Sequence, residues 1–99
     1  MTARFLVDRS YVLPSRSLYV TEGTIVEGTV VPGMLLTIGL NNSLSMAWPI
    51  AGVEFVRRSE SELVALTVLC ENADEVELLQ SFELSKEEIF ISELEETNS

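Results

Sequence analysis

Short runs of β-branched and aromatic residues, punctuated by glycine, proline and asparagine, fill the first two-thirds of the chain. Such runs suit a pleated, half-buried backbone and predict strands. Phe5-Leu6-Val7 and Tyr11-Val12-Leu13 open the series, and Pro14-Ser15-Arg16-Ser17 breaks it. Thr24 to Val31 reads TIVEGTVV, β-branched at six of eight positions, with Gly23 before the run and Gly28 inside it. A glycine within a strand marks a bulge or a bend, because it tolerates backbone angles other residues avoid. Pro32-Gly33 is a turn dipeptide with Met34-Leu35-Leu36-Thr37-Ile38 running out of it, and the pattern predicts a hairpin there.

Gly39 to Ser45 is a polar loop whose Asn41-Asn42 suits positive φ. Met46 through Arg57 predicts a bent strand interrupted at Pro49 and Gly52, with Val53, Phe55 and Arg57 alternating against Glu54 and Val56. Ser59-Glu60-Ser61-Glu62 is a further turn. Leu63 to Cys70 is apolar at seven of eight positions. Periodicity alone admits a buried helix there, but length and a β-rich neighbourhood favour a central strand buried on both faces. Beyond Cys70 the pattern changes. Asn72 is placed to cap a helix over Ala73 to Ser81, with Asp74 and Glu75 in the first turn and Val76, Leu78 and Leu79 facing inward. Ile89-Phe90-Ile91 reads as a last strand, whereas Ser85-x-x-Glu88 matches a capping box, so residues 85–92 stay open between strand and helix. The expectation is an all-β chain. It forms a small antiparallel barrel of six or seven strands with one short helix near the C-terminus, a single domain over residues 1–92 and a frayed acidic tail over 93–99.

Composition narrows the functions more than the fold. The 99 residues are 46% hydrophobic and 22% charged, a globular balance that suits one core. There is one cysteine and no histidine. Disulfide frameworks, cysteine–histidine zinc sites and imidazole catalysis are thereby excluded. The net charge of −10 is uneven: residues 1–58 sum to +1 and residues 59–99 to −11. Phosphate backbones are bound by releasing counterions to lysine and arginine, so this balance argues against nucleic acid and against an anionic membrane as partners. Asp8 and Arg9 interrupt the early apolar residues, so no signal peptide is expected, and no apolar run is long enough for a spanning helix. A lone cysteine fits a reducing compartment, and the expected location is cytoplasmic.

Gly23 to Val30, GTIVEGTV, together with the strands on either side, resembles the second-domain β-barrel of the translational GTPases, the elongation-factor-Tu-like domain. Phe5–Val7, Gly23–Val30, Pro32–Ile38, Ile50–Arg58 and Leu63–Cys70 follow that family's order and spacing over nearly the whole chain. The hairpin at Pro32-Gly33 is shorter than the family's, and Lys86-Glu87-Glu88 stands where a Gly-Asp turn is usual. No phosphate-binding loop is present, and Lys86 is the only lysine, so the resemblance is to the barrel as a stand-alone protein without the GTPase domain. It implies a contact surface for RNA or protein, without chemistry.

Single residues add little catalysis. Cys70 ends the most apolar run without a neighbouring base and reads as a small buried hydrophobe. Asp74, Glu75 and Glu77 match no calcium-loop spacing, and Glu93, Glu95 and Glu96 lie in the tail. Trp48 reads as core before interface anchor, and Arg57-Arg58 as ion-pair partners before a phosphate site. Trp48, Arg57 and Arg58 are nonetheless the candidate partner contacts. No catalytic, cofactor-binding or metal residue is assigned, and no cofactor is expected. The expectation is a non-enzymatic binding module acting through protein–protein contacts, with an unidentified protein or a second copy in a homodimer as partner. The alternative is an accessory domain of a translation-related complex, touching RNA or the ribosome through its arginine-bearing half. A small hydrolase or isomerase is the third class, disfavoured by the missing histidine.

Overall fold

Alternation along the strands settles which side of each faces the core. In the computed structural model, which describes residues 2–39, 44–58, 60–82 and 84–93, β1 (Thr2–Leu13) turns Ala3, Phe5 and Val7 inward. A bulge between Val7 and Arg9 then shifts the inward set by one residue, so that Val12 packs on the core while Arg9 and Tyr11 lie on the opposite face. Gly23 sits across from this bulge, and a Cβ there would collide with the Leu6 carbonyl, so only glycine fits the close approach. The 3-10 turn Pro14–Arg16, ended by Ser17 at φ 51°, folds β1 back onto β2 (Leu18–Glu27). Gly28, at φ 87°, where a bulge or bend was expected, instead ends the strand at Glu27.

The remaining elements are β3 (Leu35–Gly39), β4 (Ser45–Pro49), β5 (Gly52–Arg58), β6 (Ser61–Leu69), α1 (Ala73–Gln80) and β7 (Glu88–Ser92). They form one antiparallel seven-stranded sheet in the order β4-β3-β7-β1-β2-β6-β5. The all-β class with one short helix is as expected; barrel closure is not found. β4 and β5 are the two ends of the sheet. Between them Ile50 donates its N–H to the Met34 carbonyl, and Ala51 donates to the Thr67 carbonyl. The sheet thus curls until one two-residue link touches both of its ends, without a ladder joining them.

The hairpin expected at Pro32-Gly33 does not form. β3 pairs with β4 and β7 instead of β2, and Gly33 donates its N–H to the Ile50 carbonyl. Residues 28–34 are a crossover whose Val30 and Met34 drop into the core. β6 is one strand in from the end of the sheet, and Leu69 is exposed, so the strand is not buried on both faces throughout. Within residues 85–92 the strand forms over Glu88–Ser92, after a turn at 85–86: Ile89 and Ile91 are buried while Phe90 points out. The competing capping box is overridden by Lys86, at φ 67°, whose N–H meets the Val7 carbonyl. Asn72 caps α1 by accepting the Glu75 N–H at 2.9 Å, and α1 inserts Leu79 into the core beside Leu84. Residues 94–99 of the expected tail, and residues 40–43 of the polar loop, lie outside the described residues.

Candidate functional site

The hairpin register brings Arg9 directly opposite Glu22, with Tyr11 one outward position further along β1. All three side chains share the face turned away from the core. Glu22 is nonetheless 1% exposed. The Tyr11 hydroxyl donates to Glu22 Oε2 at 2.7 Å, Arg9 Nε lies 3.3 Å from Oε1, and the Arg9 guanidinium sits 5.1 Å from the Tyr11 ring centroid. A buried carboxylate needs this company, since an unpaired one would cost on the order of several kcal/mol of lost hydration. Tyr11 and Glu22 flank a shallow trough of about 220 Å³ that also takes in Val20, Glu54 and Thr67. Both carboxylate oxygens are engaged, so the cluster acts chemically as a fixed brace across the hairpin.

Arg4 is similarly occupied. Arg4 reaches Glu27 on β2 at 2.8 Å and Glu88 on β7 at 2.9 Å, tying three adjacent strands. These carboxylates raise the Arg4 guanidinium further above its ordinary range, hydrogen bonding to Glu27 first. Cys70 is buried; loss of hydration, then the Glu75 charge, pushes its thiol up and away from the reactive thiolate. Among the described residues no three Cys, Asp or Glu side chains converge in metal-binding geometry.

The expected contact residues separate. Trp48 is buried in β4, edge-on to Phe82 with ring centroids 6.3 Å apart. Arg57 is exposed on β5 opposite Glu62, and Arg58 holds the register position opposite Ser61. Between them and the sheet interior lies the residue that sequence reasoning passed over. Phe55 is 82% exposed, the most exposed large hydrophobic side chain among the described residues.

Its position follows from the sheet. Val53, Phe55 and Arg57 alternate onto the core-facing side of β5, as the pattern suggested, and Val53 does pack on the core. β5, however, is an end strand that runs outward past the core, so Phe55 has no wall to meet. β5 pairs only with β6, and among the described residues nothing bonds its outer edge. Strand order alone puts β5 at the end of the sheet, and no local sequence signal gives that order.

The chain matches no protein-family model, no curated protein sequence and no solved structure. No helix among the described residues is long and apolar enough to cross a membrane.

Proposed function

We propose that the protein is a non-enzymatic binding module that works through protein–protein contacts, and that the outer edge of β5 is the element that docks. The observation that carries this reading is Phe55, 82% exposed on a strand with an unpaired edge. Exposed edges are usually kept short or broken by proline, because their free N–H and C=O groups recruit other strands. β4, the other end of the sheet, is five residues long and ends in Pro49. β5 is seven residues long, has no proline and displays an aromatic ring. A partner strand added there would gain main-chain hydrogen bonds and cover Phe55. The neutralised environment of Arg4 and Arg9 leaves few cations for a phosphate backbone, which supports protein over RNA.

The second reading is the translation-related one, in which the resemblance to the translational GTPase barrel carries an RNA or ribosome contact through Arg57 and its neighbours. One experiment addresses both: affinity capture from native lysate with the wild type and Phe55→Lys, at low and high salt, with and without ribonuclease. The docking module retains a defined protein through salt and ribonuclease and loses it with Phe55→Lys. Ribosomal material lost on ribonuclease or salt, and indifferent to Phe55→Lys, would establish the second reading instead.

A further inference from the structure

We infer that the strand that docks on β5 is β5 of a second copy, paired antiparallel about a two-fold axis through Val56. It rests on the docking role of the β5 edge proposed above and names the partner. A two-fold axis that joins two edge strands antiparallel must stand perpendicular to the sheet, so each face continues as the same face in the second copy. Residues facing one another across the axis therefore lie on the same side of the strand, and a self-pairing must centre on a residue of β5.

Only one centre among the inner positions satisfies the charges. Centred on Val56, the strand Gly52–Arg58 sets Glu54 opposite Arg58 of the second copy and Phe55 opposite Arg57, each pair occurring twice by symmetry. Opposite charges across a ladder attract, and a guanidinium over an aromatic face is favourable. Centring on Phe55 instead sets Val53 against Arg57 and Glu54 against Val56, wasting every charge. Centring on Glu54 or Arg57 sets like charges face to face. The order Glu-Phe-Val-Arg-Arg thus complements itself in reverse. Charge supports the location as well: β5 carries Glu54, Arg57 and Arg58 in a chain of net charge −10, so its edge is where a second acidic copy is least repelled.

The test is sedimentation equilibrium of the full chain as wild type, Glu54→Arg, Arg58→Glu and the double swap. The expected result is a dimer weakened roughly tenfold or more by each single swap, which turns two attractive pairs into two like-charge pairs, and recovered in the double swap. A second readout does not depend on the swapped chains folding. In a Cys70→Ala background, Val56→Cys is expected to form an intermolecular disulfide on mild oxidation, because directly opposite Cα atoms lie about 4.5–5.5 Å apart. Phe55→Cys, offset from its own copy, is expected to link far more slowly. A dimer whose association ignores both single swaps, or is not recovered by the double swap, overturns the inference. So does a wild type that stays monomeric. In that case a photo-crosslinker at position 55 separates the two failures: an adduct with a different protein keeps the docking edge and removes the second copy, and no adduct removes both.

Discussion

The Tyr11 hydroxyl and the Glu22 carboxylate meet 2.7 Å apart on the outer face of the β1–β2 hairpin, although Glu22 is 1% exposed. A charged side chain buried on the side of a sheet away from its core is held by what lies beside it in register. Tyr11→Phe keeps the ring under Arg9 and removes only the donated hydrogen bond. Bonds to charged groups are worth about 1.5–3 kcal/mol, so urea unfolding is expected to show a loss of that order. An unchanged midpoint would mean that solvent reaches Glu22 freely.

Gly23→Ala tests the close approach of β2 to the bulge in β1. The new methyl would fall on the Leu6 carbonyl, which belongs to the backbone and cannot rotate away. A loss of more than about 1 kcal/mol is expected, the opposite of the usual small gain when alanine replaces a compatible glycine. Gly39→Ala, where the same atom meets nothing within 4 Å, serves as the comparison.

Asn72→Ala removes the acceptor for the Glu75 N–H at the start of α1. Caps of this kind are worth about 0.5–2 kcal/mol. Because Leu79 on the same helix is buried in the core, the loss is expected in global unfolding as well as in amide exchange of the helix.

Alkaline pH is expected to weaken the fold. Burial raises both the Tyr19 phenol and, with help from Glu75, the Cys70 thiol above their ordinary values of 10.0 and 9.0. The unfolded chain therefore loses these protons first. Stability is full below the ordinary values and falls as pH climbs past them toward the raised ones. Urea midpoints measured from about pH 8 to about pH 11 should decline, with Cys70→Ala removing the earlier part of the decline. Native Cys70 should also react with a disulfide reagent far more slowly than the unfolded chain.

Local chemistry was legible in the sequence; long-range pairing was not. Asn72 announced its cap, and Gly28 its bend, because each signal lies within a few residues of its consequence. The Pro32-Gly33 turn was visible too, yet its Gly33 N–H goes to Ile50, a partner that only the closed shape of the crossover supplies. Glu22 carried no sequence signal of its own, since its burial depends on Tyr11 and Arg9 arriving through the hairpin register. Phe55 kept the expected alternation, and its exposure comes from β5 standing at the end of the sheet. Strand order, which a single sequence leaves open, decides that. Arg57 and Arg58 were singled out as candidate partner contacts, and they lie on the same end strand as Phe55.

A photo-crosslinking amino acid at position 55, compared with the same residue at position 90, tests the docking edge most directly. Phe90 is also exposed, at 61%, but sits on β7 between β1 and β3, where no strand edge is free. Irradiation in native cells should give a discrete adduct from position 55, at twice the chain mass for the paired copy, and none of comparable yield from position 90. Equal, diffuse labelling from both positions would contradict a docking role for β5.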